Sequence, residues 1–122
     1  MKIILSIKPE FANKIFEGNK KFEFRRSIFK NKRVSKVIVY ASSPVSKVIG
    51  EFEIGEILFK DLNSLWQETK EYSGITEKYF YDYFIGKENG FALEVKRVKK
   101  YKQELCIEKS FGKRPPQSFA YI

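Results

Sequence analysis

Gly18-Asn19-Lys20-Lys21-Phe22-Glu23-Phe24-Arg25-Arg26 is the stretch around which the rest of the chain is arranged. It follows a short segment of helical spacing and reads as a tight turn feeding a strand. Gly18 stops the helix, because glycine enters the left-handed backbone region without a Cβ penalty. From Lys21 the residues alternate, and side chains change face at each step of a strand. Phe22 and Phe24 therefore form an apolar face. Lys21, Glu23 and Arg25 form the opposite one, two cations flanking a carboxylate, with Lys20 at the turn before them. Such a face is either a solvated exterior or one wall of a site.

On either side of this stretch the pattern is mixed. Lys2 to Ile7 reads as a short buried strand. Pro9 suits the first turn of a helix, where its missing N–H costs nothing, and Phe11, Ala12, Ile15 and Phe16 share one helical face. Residues 27–35 form a polar, basic loop anchored by Ile28 and Phe29. Lys36 to Ala41 is apolar on both faces, as a central strand is. Val45 to Phe59 is a long strand in which Gly50 and Gly55 mark bends or bulges. Asp61 and Thr76 are N-caps for two helices, the second carrying Tyr79, Phe80, Tyr83 and Phe84 as an aromatic stripe suited to core packing. Phe91 to about Tyr101 is a further strand, and the end near Phe119 to Ile122 adds an edge strand. The sum is an α+β chain of five to six strands and about three short helices. The glycine-bent strand favours a small curled β-barrel over a flat sheet.

Composition narrows the chemistry. The 122 residues are enough for one domain, 1–122, with one core. There is no histidine and a single cysteine, Cys106, so Ser-His and Cys-His pairs and His- or Cys-ligated zinc are excluded. The lone cysteine fits a reducing, cytoplasmic setting, and no signal peptide or membrane span is recognisable. The expected protein uses no cofactor and no metal. Twenty-four basic residues against 15 acidic ones give a net charge of +9, which attracts polyanions, nucleic acid being the commonest. The cations cluster in residues 20–36, again at Lys96, Arg97, Lys99, Lys100 and Lys102, and again at Lys109, Lys113 and Arg114. Solubilising faces are the plainer account of such clusters. The first one, however, interleaves arginines with aromatics.

The order strand, helix, then Gly18-x-Lys20-x-x-Glu23-x-Arg25 resembles the G-x-K-x-x-E-x-R signature of the ASCH domain family, with all four positions filled. Leu5-Ser6-Ile7-Lys8-Pro9-Glu10-Phe11-Ala12 is similar to the family's opening strand and helix start. Pro115-Pro116-Gln117-Ser118-Phe119 is similar to a segment near the end of one bacterial and phage-associated subgroup. The resemblance implies a PUA-like β-barrel and a cleft beside the signature suited to RNA or a nucleotide. One branch of the family hydrolyses N4-acetylcytidine and related acylated cytosines, and another cleaves RNA. In the first branch a lysine, a threonine and a downstream glutamate carry the reaction. Lys20 matches the lysine, Glu23 stands in the threonine's place, and Glu71, followed by Ile75-Thr76-Glu77, resembles the glutamate segment.

These readings fix the expected site. Lys20, Lys21, Glu23, Arg25, Arg26, Ser42 and Arg114 are the candidate ligand contacts, and Lys20, Glu23 and Glu71 the candidate catalytic groups if the protein is an enzyme. Burial and a neighbouring Arg25 would lower the Lys20 pKa, while Glu23 would keep the amine cationic. That balance favours recognition of phosphate or a base edge by Lys20 and Arg25, with Glu23 orienting Arg25 or accepting from an exocyclic amine. Tyr40, Phe29 and Trp66 are candidate stacking platforms. The expected ligand is RNA or a nucleotide. The alternatives are a small hydrolase of an acylated nucleoside, a ribonuclease, or a protein-interaction subunit whose cations only solubilise it.

Overall fold

The computed structural model describes all 122 residues. Its elements are β1 (Lys2–Ile7), α1 (Pro9–Phe16), β2 (Phe22–Arg25), β3 (Lys36–Ala41), β4 (Lys47–Asp61), α2 (Leu62–Thr69), a 3-10 turn (Lys70–Tyr72), α3 (Glu77–Tyr83), β5 (Asn89–Leu105), α4 (Ile107–Phe111) and β6 (Phe119–Tyr121). The strands form one six-stranded sheet in the order β2-β5-β4-β3-β1-β6, curled into a half-barrel. All pairs are antiparallel except β1 with β3. The register of β4 against β5 slips between Val48 and Gly50, between Phe52 and Ile54, and again before Ile57. These irregularities bend the two longest strands, as extra residues on one side of a ladder do.

Alternation sorts the side chains into three apolar clusters. Inside the curl, Ile3, Leu5 and Ile7 of β1, Val37 and Val39 of β3, Phe52 of β4 and Leu93 and Val95 of β5 pack on Ala12 and Ile15 of α1. On the outer face, Phe24, Leu58 and Ala92 pack on Leu65, Trp66, Phe80 and Phe84 of α2 and α3. Ile4, Ile38, Tyr40 and Val48 pack on Ile107 of α4. β3 is thus covered on both sides, which accounts for its unbroken apolar run.

Asp61 caps α2 by accepting from the Ser64 amide at 3.0 Å, and Thr76 caps α3 by accepting from the Tyr79 amide at 3.1 Å. Gly18 takes φ +84° just past α1. The fourth helix is one more than the expected three. α4 spans five residues; Cys106, at its N-cap, makes no side-chain capping bond, and the helix is held by buried Ile107, by Phe111 packing beside it and by the left-handed Gly112 at its end. A helix of that length has no stripe for periodicity to find. No helix is long and apolar enough to cross a membrane.

Candidate functional site

The sheet's two end strands, β2 and β6, are not paired with each other, and the site lies on the seam this leaves. Glu23 sits opposite Leu93 in the β2–β5 ladder, and Arg25 opposite Phe91. Directly opposed residues share a face, and Leu93 belongs to the inner core. Glu23 and Arg25 therefore turn inward, towards the open seam, while Phe24 turns outward against α3. This is why a glutamate on an edge strand is only 6% exposed.

Arg25 spans the seam. Its Nη1 donates to the Glu23 carboxylate at 3.3 Å and lies 3.5 Å from the Ser6 carbonyl of β1, and its Nη2 donates to Ser118 Oγ. Ser118 is held in turn, its carbonyl accepting from the Ser6 amide at 3.1 Å. The Ser6 hydroxyl donates to the Pro116 carbonyl.

Lys20 lies deeper and is 2% exposed. Its ammonium donates to the Ser73 carbonyl at 2.6 Å and sits over the ring of Phe24 at 4.9 Å and that of Phe11 at 5.5 Å. Gly74, at φ +70°, lets the chain run hard against the Lys20 stem, where a Cβ would lie 2.6 Å from Lys20 Cβ. Lys14 donates to the Gly74 carbonyl at 3.1 Å, so one turn holds two ammonium groups.

Burial pushes the Lys20 amine down to about 8. Glu23 pulls the other way without pairing, its ion pair being with Arg25, and Lys14 adds a further downward push. The expected balance is corrected in two respects. Burial outweighs Glu23, and the like charge that matters is Lys14 rather than Arg25.

Lys20, Glu23, Arg25 and Arg26 line a cavity of about 460 Å3 together with Ser6, Lys8, Phe11, Tyr79, Tyr83 and Ser118, among others. Tyr79 meets Phe11 edge to face at 5.1 Å, with the Lys8 ammonium 5.3 Å from the Tyr79 ring. Burial raises the Tyr83 phenol, partly offset by Arg25. The volume suits a small organic ligand, and aromatic walls with a few convergent polar groups are the usual lining of such sites.

The other expected residues lie elsewhere or are otherwise engaged. Arg26 borders the cavity, but its Nη1 donates to the Tyr83 and Ile85 carbonyls at 2.8 and 2.7 Å, tying down the end of α3. Lys21 leans over the Tyr72 ring at 4.3 Å, exposed and outside the lining. Its face is lost because residue 21 precedes the strand proper. Ser42 and Arg114 are also outside the lining. Ser42 is used in the β3–β4 turn, where its carbonyl accepts from the Val45 amide at 3.1 Å, and Arg114 is exposed.

Glu71 is exposed on the 3-10 turn and forms no ion pair with Lys20, whose ammonium is turned instead to a backbone carbonyl two residues further along. Glu77 is also engaged elsewhere, accepting from Trp66 Nε1 at 3.0 Å. Tyr40, Phe29 and Trp66, the expected stacking platforms, are all buried in the apolar clusters. The rings that do face the cavity, Tyr79 and Tyr83, belong to the stripe assigned to core. The stripe divides: Phe80 and Phe84 are buried against the sheet, Tyr79 lines the site, and Tyr83 lines the site while also packing on the Phe80–Phe84 cluster. The hydroxyl that sets Tyr apart from Phe in this stripe is the signal that marks them, because a tyrosine keeps its polar end within reach of the cavity.

Comparison with known proteins adds to this picture. The ASCH domain model matches residues 5–104. The ASCH domain-containing ribonuclease of Zymomonas mobilis is 30% identical over 122 residues, covering 98% of this chain and 82% of that protein. The large ribosomal subunit protein uL22 of Ureaplasma parvum is 28% identical over 120 residues, and the chain spans only 39% of its length. A crystal structure of ASCH from Zymomonas mobilis superposes with a TM-score of 0.91 at 29% identity, covering 99% of this chain and 87% of that one.

Proposed function

The chain belongs to the ASCH domain family, and we propose that it binds single-stranded RNA, seating one nucleotide in the cavity at the seam. The observation that carries this reading is the convergence of Lys20, Glu23 and Arg25, three charged groups from one short stretch, on a cavity with aromatic walls. Arg25 offers five N–H donors, and its protein contacts use only some of them, so a phosphate or base edge can take the remainder. Glu23 accepts from Arg25 through one carboxylate oxygen, leaving the other for an exocyclic amine. Cytosine or adenine is then preferred to uracil. Tyr79 and Tyr83 supply faces for the base. The similarity to a protein named as a ribonuclease supports RNA as the ligand class.

A second reading is favoured by one observation, the lowered pKa of Lys20. A neutral amine beside a bound phosphodiester can take the proton of the ribose 2′-hydroxyl. That oxygen then attacks the adjacent phosphorus and the bond to the 5′-oxygen breaks. A 2′,3′-cyclic phosphate forms, and the leaving oxygen takes a proton from solvent. Arg25 offsets the charge that builds on the phosphoryl oxygens. Hydrolysis of an acylated cytidine has less support, because Glu71 is exposed and forms no ion pair with Lys20.

The test is anisotropy of labelled cytidylate oligomers titrated with protein at several salt concentrations. Binding that weakens steeply with salt and drops about tenfold or more in Arg25→Ala supports the reading. Salt-insensitive or absent binding overturns it. Gel analysis of an unmodified RNA with wild-type and Lys20→Ala protein decides whether cleavage follows binding.

A further inference from the structure

The cavity at the seam has a neighbour on the other side of α1. Phe11 faces the cavity, whereas Pro9 and Asn13 face a second concavity of about 230 Å3. Its floor is Ala41, Val45 and Ile49, and its far rim is the strand segment carrying Lys100, Tyr101, Lys102 and Glu104. The Tyr101 ring itself packs against the cluster of Ile4, Ile38, Tyr40, Val48 and Ile107, its hydroxyl donating to Glu51 at 2.7 Å. Neither Lys100 nor Lys102 forms an ion pair, in contrast to Arg97 and Lys36 nearby, which pair with Glu53 and Glu51. The rim is thus apolar below and carries two unpaired lysines beside one carboxylate, Glu104, above, leaving it net positive. Lys96 and Lys99 are likewise exposed and unpaired on the same strand.

We infer that this groove is a second nucleotide subsite, and that one RNA strand crosses the N-terminal end of α1 to occupy both concavities. A helix is about 10 Å across, a span that a few nucleotides bridge. Continuous sites of this kind cover several nucleotides in single-strand binders, which combine a cationic track with flat apolar or aromatic surfaces. Here Lys100 and Lys102 take successive phosphates while a base lies against the apolar floor of Ala41, Val45 and Ile49. The basic cluster on β5 is thereby given a role that the first cavity does not use.

This inference rests on the seam cavity being an RNA site, and the experiment separates the two. The probes are 2′-fluoro oligocytidylates of two and eight residues, which lack the 2′-hydroxyl nucleophile and so stay intact. Wild-type protein is expected to bind the longer oligomer more tightly. The double variant Lys100→Glu/Lys102→Glu, in exposed strand positions, is expected to weaken the eight-residue oligomer about tenfold. It should leave the two-residue oligomer within about twofold. For the longer oligomer the slope of log affinity against log salt should fall by about 1.4, the value for two lost single-strand phosphate contacts. The control Lys70→Glu/Lys87→Glu makes the same change in net charge away from the groove and is expected to have little effect. An unchanged affinity for the longer oligomer, an equal loss for both oligomers, or an equal loss in the control would each overturn the second subsite. Failure of wild-type protein to bind either oligomer would overturn the seam site itself, and this inference with it.

Discussion

The ammonium of Lys20 donates to the carbonyl of Ser73 at 2.6 Å, an interior pairing that places a charge where water hardly reaches. One carbonyl does not replace the hydration of an ammonium. The protein therefore carries a stored electrostatic cost at its candidate site.

Lys20→Met should stabilise the fold at pH 7. The amine titrates at about 8 in the folded chain against 10.5 for the ordinary group. That difference is worth about 3 kcal/mol against the folded state below pH 8. Subtracting about 1 kcal/mol for the lost hydrogen bond leaves a gain of about 2 kcal/mol. Between pH 8 and 10.5 the unfolded chain holds one more proton than the folded one, so wild-type stability rises with pH and the advantage of methionine fades. Urea denaturation of both proteins at pH 7 and pH 10 checks this, and an advantage independent of pH would count against it.

If Lys20 acts as a base, RNA cleavage should rise about tenfold per pH unit below 8 and level off above it, because only the neutral amine accepts a proton. If Lys20 only binds, affinity for a non-cleavable oligomer should instead weaken as the pH passes 8. Single-turnover rates and binding isotherms across pH 6 to 9 distinguish the two.

Gly74→Ala should damage stability and site together. An L-residue at φ +70° costs about 1–2 kcal/mol, and the new Cβ would press on the rigid base of the Lys20 side chain at 2.6 Å. A loss of about 3 kcal/mol in chemical denaturation, with RNA affinity reduced even where the variant is fully folded, is the expected result. Preserved stability would show that the turn gives way more easily than its geometry implies.

Arg25→Lys keeps the charge and loses the fork. A lysine cannot serve Glu23, Ser6 and Ser118 at once, so about 1–3 kcal/mol of stability and about tenfold in RNA affinity should go with it. Calorimetry and anisotropy on the same preparation measure both. By contrast, Glu71→Ala should leave binding and any cleavage within about twofold of wild type, since its carboxylate is exposed and unpaired with Lys20.

What could be read from the chain follows from how local each signal is. Gly18, Asp61 and Thr76 act on their immediate neighbours, and each ends or begins a helix as its chemistry dictates. Glu23 and Arg25 were readable as one face because a strand's alternation is strict, though not that this face turns into a seam. That depends on β6, which lies over 90 residues further along. Serines gave no warning of Ser6 and Ser118, whose roles come from the docking of the 116–118 segment on β1. Ser42 and Arg114 lie outside the cavity lining, because position at a strand end or before a proline pair does not fix direction. Tyr40 and Trp66 misled because aromatic size favours burial over display.

The cavity takes Ser118 from the far end of the sequence and Lys20, Glu23 and Arg25 from the beginning. During synthesis, then, a chain can assemble most of its sheet while its candidate site is still missing a wall. Until residues 117–121 have emerged from the ribosome, Arg25 has no Ser118 to bridge to and β1 has no β6 beside it.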